Sequence, residues 1–139
     1  MTLVLAVKSQ AAVVTQGYAE VLARINTFRR NAFADSGGEA TIIIPGIEVA
    51  SLPRFLVYES FKVLCNGSAS TPNITVYEGS EAPENFIGGS DRGDLNEWVE
   101  LPSLYTTDPI IIKWTGADEG ANCTVRVQSR EIHLVPVRI

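Results

Sequence analysis

The residues able to perform acid–base or nucleophilic chemistry are few and isolated in this chain. His133 is the only histidine, and it lies between Ile132 and Leu134 with no serine, cysteine or aspartate motif beside it. A histidine acts as a catalytic base when a carboxylate orients it toward a nucleophile, and no motif around His133 indicates that arrangement. We therefore expect a structural histidine and predict that the protein is not an enzyme.

The glycine-rich segment at residues 88–93 is the second candidate site. A phosphate-binding loop needs backbone N–H groups at a helix N-terminus and usually a cation, but neither a Lys-Ser/Thr pair nor a helix follows this segment. Oxygen ligands for calcium are available from Asp91, Asp94, Asn96 and Glu97, but their spacing does not match an EF-hand loop. The sequence therefore predicts no cofactor-binding site and no metal site.

Aromatic side chains offer a third possibility, because flat rings pack against the apolar faces of sugars. The candidates for such a platform are Trp98, Trp114, Tyr58, Tyr77 and Tyr105. In a small sandwich, however, a tryptophan within an alternating strand usually belongs to the core. We expect core packing, and carbohydrate binding through Trp98 or Trp114 is the alternative function.

The N-terminus decides what is expected of the two cysteines, whose spacing by itself says nothing about the redox compartment. The apolar stretch at residues 1–7 has no basic residues before it and is interrupted by Lys8, so it does not resemble a secretory signal. Without a signal peptide, Cys65 and Cys123 are expected to be buried free thiols, although a disulfide between them is geometrically possible. No apolar run reaches the length of a membrane span, so we expect a soluble protein.

Composition and charge describe one folded domain with an uneven surface. The 139 residues are 45% hydrophobic and 19% charged, and the net charge is −5. The acidic balance disfavours nucleic-acid binding, which usually needs a basic footprint. Residues 78–119 contain ten acidic side chains against only Arg92 and Lys113, a net charge of −8. This layout indicates either solvated loops or a complementary contact between copies of the chain.

The N-terminal third has a helical pattern of apolar residues, and the firm part of the predicted helix is 17–33. Gly17 argues against one helix that begins at residue 10, because an interior glycine destabilises a helix. Gly37 would end the helix. The apolar stripe consists of Ala11, Val14, Tyr18, Val21, Ile25, Phe28 and Ala32.

After a turn at residues 35–39 the apolar period changes to two, which is typical of strands. Short strands without intervening helices predict a mainly-β fold, an antiparallel β-sandwich or jelly roll with one N-terminal helix or arm. We predict an N-terminal arm with a helix at 1–38 and a β-sandwich domain at 39–139. The predicted strands are 40–45, 47–51, 54–65, 73–78, 96–101, 109–115, 122–128 and 131–137.

The predicted helix has two possible roles. It either lies on the sandwich and completes its core, or it forms an arm that packs against symmetry mates in a small trimeric bundle. In the second case the helix supplies the subunit interface. The interface residues would be Val14, Tyr18, Val21, Ile25, Phe28 and Arg29.

The stretch from about Phe55 to Val127 resembles the small β-sandwich or jelly-roll modules of tailed-bacteriophage virions. The resemblance lies in the segments Phe55-Leu56-Val57-Tyr58, Ile74-Thr75-Val76-Tyr77-Glu78, Gly89-Ser90-Asp91-Arg92, Pro109-Ile110-Ile111-Ile112-Lys113-Trp114 and Cys123-Thr124-Val125-Arg126-Val127. A short chain with an N-terminal arm and no catalytic residues is similar, within that group, to capsid cement (decoration) proteins.

The resemblance implies a non-enzymatic virion structural protein that oligomerises as a trimer, binds between capsid subunits and stabilises the shell. Its partners would be copies of itself and the major capsid protein or another virion protein, with no nucleic acid and no membrane. It would be made in the host cytoplasm and end on the capsid surface. Tail and baseplate modules are built similarly, so a receptor-binding module of the tail is a further alternative.

Overall fold

The computed structural model describes residues 16–47 and 54–138, which form β-strands and one short 3-10 turn at Pro83–Asn85. No helix within these residues is long and apolar enough to cross a membrane. The strands are β1 (Gln16–Phe33), β2 (Ala40–Ile44), β3 (Arg54–Asn66), β4 (Asn73–Glu78), β5 (Phe86–Ser90), β6 (Val99–Thr106), β7 (Ile110–Thr115) and β8 (Asn122–Arg138).

The strands form two antiparallel four-stranded sheets that pack face to face. Sheet A has the order β1-β8-β3-β6 and sheet B the order β2-β7-β4-β5. One apolar cluster contains side chains from both sheets, which is the mark of a sandwich. The predicted mainly-β antiparallel sandwich is therefore confirmed.

The predicted helix at 17–33 is wrong, because this segment is strand β1 and pairs with β8 along its whole length. Beyond a register shift between Leu22 and Arg24, its side chains alternate between the two faces of sheet A. Phe28 turns inward and packs against the core, whereas Ile25 faces solvent. Two inward positions of β1 carry polar residues, which interrupt the alternation of apolar and polar side chains expected of a strand. The apolar residues that remain are spaced three and four apart, as in a helix.

Most of the other predicted strands are confirmed. β2, β3, β4 and β7 match their predicted bounds to within one residue. β8 runs without a break where two strands were predicted, and β6 begins three residues after the predicted start. The glycine-rich segment, read as a turn, contributes to β5. Most of the predicted strand at 47–51 lies outside the described residues.

The turn at residues 35–39 coincides with the predicted division of the chain and joins β1 to β2. The division into 1–38 and 39–139 stays a prediction. Its described N-terminal part, from residue 16, pairs with β8 and so forms the edge of sheet A.

The core lies where the two sheets overlap. Trp114 of β7 has no exposed surface, and its indole Nε1 donates a hydrogen bond of 2.8 Å to the Gly93 carbonyl. Val125 and Cys123 of β8 are equally buried opposite it. Trp114 is therefore a core residue, as the sequence predicted.

Both cysteines are free thiols, as expected, but only Cys123 is buried, whereas Cys65 is half-buried. Cys65 of β3 and Cys123 of β8 face each other in the strand register, with 3.7 Å between their sulfur atoms. Burial and the neighbouring Cys65 raise the pKa of Cys123 to about 12, so this thiol stays protonated and behaves as a small apolar side chain.

Sheet A is much longer than sheet B. Strands β1, β3 and β8 have 18, 13 and 17 residues, whereas no strand of sheet B exceeds six. Sheet A therefore continues beyond the region that sheet B covers. In this extension Phe55 and Leu134 form a second buried cluster with Tyr105.

A tight turn connects the two sheets at one end of the sandwich. Gly38 has φ of 78°, and its N–H donates to the Asp35 carbonyl at 3.0 Å. The Ala117 N–H donates to the Gly38 carbonyl at 3.1 Å, and the Gly120 N–H donates to the Ala34 carbonyl at 2.9 Å. These bonds fasten the β1–β2 turn to the β7–β8 turn.

Gly38→Ala should destabilise the fold more than Gly116→Ala, which is its matched control. Both glycines have φ near 80°, so each alanine costs about 1–2 kcal/mol in backbone strain. Only at Gly38 would the new Cβ lie 2.5 Å from the Ala117 carbonyl oxygen; at Gly116 it meets nothing within 4 Å. The clash adds roughly 1–3 kcal/mol. Urea unfolding of both variants measures the difference, and equal losses would contradict the close approach.

Candidate assembly surface

Strand β1 is an edge strand, and on its outer side no strand of the described residues pairs with it. An edge strand presents unpaired N–H and C=O groups that can pair with another chain. At 18 residues β1 is also the longest strand, far longer than the short edges with which proteins usually limit such pairing. This edge is therefore the part of the fold best suited to a contact between chains.

Exposed apolar side chains are concentrated on the same strand. Among the described residues, half of the large apolar side chains that are exposed lie on β1, and two of them are more than 60% exposed. Scattered exposed apolar residues are ordinary, but several on one edge strand, whose outer side no described strand pairs with, indicate a candidate interaction surface. We call this set the β1 edge surface: Val21, Leu22, Ile25 and Phe33.

The structure separates the predicted interface residues. Val21 and Ile25 belong to the β1 edge surface, and Arg29 is exposed on the same strand. Phe28 is half-buried against the core, with the Arg30 guanidinium 5.1 Å from its ring centroid. Val14 lies outside the described residues, and Tyr18 is a residue of strand β1. The interface assignment itself remains a proposal.

A row of cations crosses sheet A beside this edge. Arg29 of β1 is opposite Arg126 of β8, which in turn is opposite Lys62 of β3, so all three side chains leave the same outer face. Like charges directly opposite each other destabilise a sheet. None of the three forms an ion pair with a carboxylate of the described part of the chain. This basic row is suited to an acidic partner.

A buried carboxylate holds the three longest strands together where β1 changes register. Glu131 of β8, with its side chain 6% exposed, accepts a hydrogen bond from Arg24 Nε at 3.2 Å. His133 Nε2 lies 2.8 Å from the other carboxylate oxygen, and Arg54 Nη1 lies 3.9 Å from it. The hydrogen bond with His133 and the charge of Arg24 hold the pKa of Glu131 below its usual value.

Sequence reasoning missed the carboxylate partner of His133. The signal was available, because residues two apart in a strand share a face and Glu131 precedes His133 by two. Among the described residues, no hydroxyl or thiol contacts the imidazole of His133. The arrangement can hold strands together, but it provides no nucleophile for catalysis.

The other candidate sites do not come together. Asp94 pairs with the Arg92 guanidinium at 3.4 Å, and the described residues contain no group of three or more side chains placed to hold a metal ion. Of the aromatic candidates, Tyr58 is buried in the core and Tyr105 packs on the sheet A extension. The expectation of core packing is wrong for Trp98, which is 42% exposed, with the Arg126 guanidinium 5.3 Å from its ring centroid.

Comparison with known proteins identifies the fold but no family. No protein-family model matches the chain, and no curated protein matches its sequence. A chain in the acidic stable capsid structure of Helicobacter pylori bacteriophage KHP30 has a similar fold, with a TM-score of 0.55 and 10% sequence identity. The match covers 88% of this chain and 99% of that chain. The expected structural resemblance to a phage virion β-sandwich is thus confirmed.

Two more distant structures have TM-scores below 0.5. The periplasmic lysozyme inhibitor PliG of Aeromonas hydrophila has a TM-score of 0.38 and 14% identity, and the match covers 76% of this chain and 87% of that chain. VP1 of Trichodysplasia spinulosa-associated polyomavirus has a TM-score of 0.39 and 9% identity, and the match covers 85% of this chain and 99% of that chain. The likeness to the capsid chain, at 10% identity, shows the fold alone, and these two weaker likenesses add nothing to it.

Glu131→Gln should lower the free energy of unfolding at neutral pH and leave it almost unchanged in acid. Because the folded-state pKa of Glu131 is lowered, its carboxylate stabilises the fold above the unfolded-state pKa of about 4.3. This contribution is lost as the pH falls through the lower folded-state pKa. Urea unfolding of both proteins between pH 7 and pH 3 measures the change.

Glu84→Gln is the matched control, because Glu84 is exposed and has no ion pair within the described residues. It should leave the pH dependence of unfolding close to that of the unmodified chain. A loss in Glu131→Gln that is the same at every pH would contradict the role of the charge.

Proposed function

We propose that this protein is a non-enzymatic structural protein of a bacteriophage virion, a capsid cement protein that acts as a homotrimer on the capsid surface. The observation that carries the proposal is the fold shared with a chain of a phage capsid structure over 99% of that chain. A match that spans nearly all of both chains means that the capsid chain is also one small sandwich of about this size. The major capsid protein would be the partner under this proposal.

The β1 edge surface supports an assembly role. A cement protein needs contact area and complementarity, and it does not need an active site. The exposed apolar side chains of β1 offer area. Its outer backbone edge, which no described strand pairs with, offers hydrogen bonds to a strand of a neighbouring copy. The β1 edge therefore offers both apolar contact area and backbone hydrogen bonds for a contact between copies.

Charge distribution supports a directed contact between copies. The basic row lies on the outer face of sheet A, whereas most acids of residues 78–119 lie on sheet B, its turns and the β5–β6 connection. Surfaces of opposite sign on different parts of one molecule can meet when copies pack around an axis. Such complementarity fixes the register of a contact and weakens in salt.

The first prediction of this function concerns the mass in solution. We expect light scattering after size exclusion to give three times 15.1 kDa at low salt, with partial dissociation at high salt. Ile25→Lys should shift the chain to a monomer without unfolding it, because Ile25 is 63% exposed and the new charge must be buried in the contact.

Phe86→Lys is the matched control, because Phe86 is similarly exposed but lies on β5, at the far edge of sheet B from β2. β2 contacts β1, so β5 occupies the other side of the sandwich. This variant should keep the oligomer. Equal dissociation of both variants would remove β1 from the interface, and a folded monomer that leaves capsid shells unbound would refute the cement role.

Exposure of Trp98 favours one second candidate, a carbohydrate-binding module. A binding platform needs an indole that a sugar ring can reach, and Trp98 meets that requirement whereas Trp114 does not. Arg126 covers part of the ring, with its guanidinium 5.3 Å from the ring centroid. The alternative therefore depends on this single side chain.

Acrylamide quenching distinguishes the two tryptophans. We expect the fluorescence to contain a component from Trp98 that acrylamide quenches and a component from Trp114 that is shielded from acrylamide. Trp98→Phe should therefore remove the quenchable component, and Trp114→Phe should remove the shielded component. If the protein binds carbohydrate through Trp98, adding mono- and oligosaccharides should protect the quenchable component. Quenching that no sugar changes would reject this second candidate.

A further inference from the structure

A cavity of about 360 Å³ lies inside the sandwich, between the two sheets. Its wall is almost entirely apolar and includes Phe61 of β3, Val76 of β4, Leu104 of β6 and Ile112 of β7. Protein interiors rarely contain voids larger than one water molecule, which occupies about 30 Å³. A space of roughly a dozen water volumes is within the usual size range of small-molecule sites.

The cavity exists because the inner face of β5 has no large side chain. Gly88 pairs with Val76 and Ser90 pairs with Ile74, so both positions share the inward face of those two apolar residues. A Cβ added at Gly88 would meet no atom within 4 Å, which means that open space lies directly in front of it. Glycine and serine thus replace the bulky residues that would otherwise fill this end of the core.

The cavity reaches the surface at β5. Ile87 and Gly89, which also line the cavity, are exposed to solvent. β5 is the edge of sheet B, so within the described residues no further strand closes this side. A ligand can therefore enter between β5 and β6, which are edge strands of sheet B and sheet A, without separating paired strands.

One polar group of the wall lacks a partner. Tyr58 of β3 is 2% exposed, and its hydroxyl has no hydrogen-bond partner among the described residues. Burial and the charge of Glu78 raise the pKa of Tyr58 to about 12, so the hydroxyl is neutral and can donate or accept. The same negative charge, together with the acids around the β4–β5 turn, disfavours an anionic ligand.

We infer that this cavity binds an uncharged single-chain amphiphile of the long-chain alcohol class, with its alkyl chain between the sheets and its hydroxyl paired with Tyr58. The apolar wall accommodates the chain, and the unpartnered hydroxyl selects an oxygen at its end. The geometry of β5 leaves room for the tail in front of Gly88. This inference concerns the interior of the sandwich and does not depend on the virion role.

The test is isothermal titration of the full chain with 1-decanol and, in parallel, with decanoate at pH 7. The unmodified protein should bind 1-decanol and should bind decanoate at least tenfold more weakly. Gly88→Leu, which fills the cavity, should weaken 1-decanol binding at least tenfold, whereas its matched control Gly88→Ala should keep most of it. Tyr58→Phe should weaken 1-decanol binding about tenfold, which is the loss of one hydrogen bond.

Circular dichroism and thermal unfolding show whether each variant folds. Gly88→Val, whose β-branched side chain suits a strand, replaces Gly88→Leu if leucine prevents folding. An unmodified chain that does not bind 1-decanol overturns the inference. Unchanged affinity in a folded Gly88→Leu or Gly88→Val variant also overturns it, and unchanged affinity in Tyr58→Phe removes the proposed hydroxyl contact.

Discussion

The pairing of β1 with β8 is the interaction on which the rest of this structure depends. The two strands are antiparallel partners from Gln16 and Arg138 to Phe33 and Asn122, far beyond the region that sheet B covers. This pairing makes β1 an edge and so exposes the apolar residues of the β1 edge surface. It also brings Arg24 of β1 to Glu131 of β8, and it aligns Arg29 with Arg126 in the basic row. An exposed apolar edge and a charged anchor therefore result from one contact between distant parts of the chain.

The two sheets divide the possible roles between them. Sheet A is long, and its outer face carries cations, so it is suited to contacts with other macromolecules. Sheet B is short, and its strand β5 leaves the interior underfilled at Gly88, so it is suited to a small apolar ligand. Because the cavity lies inside the sandwich and the β1 edge lies outside it, the two proposed sites need not compete.

The incorrect prediction of a helix at 17–33 shows where the periodicity of apolar residues fails to predict secondary structure. The inward positions of β1 include Asn26 and Arg30 as well as Phe28 and Ala32, so polar and apolar residues share each face. A half-exposed edge strand buries too little surface to require clean alternation. The spacing of three and four therefore looked helical, and Gly17 argued only against a helix that begins at residue 10. In β2 and β7 one face of the strand is fully buried, and there the predicted bounds were correct to within one residue.

The mainly-β fold, its principal strands and the core position of Trp114 followed from residue types and local spacing, because turn chemistry and period-two burial are local properties. The free thiols were expected because the N-terminal stretch does not resemble a secretory signal. The sequence alone also indicated a likeness to phage virion sandwiches. Three features required tertiary structure: the strand identity of residues 16–33, the exposure of Trp98 and the cavity behind Gly88. Each depends on which distant strand lies opposite a residue, and that register results from long-range pairing and packing between sheets, which no local pattern encodes.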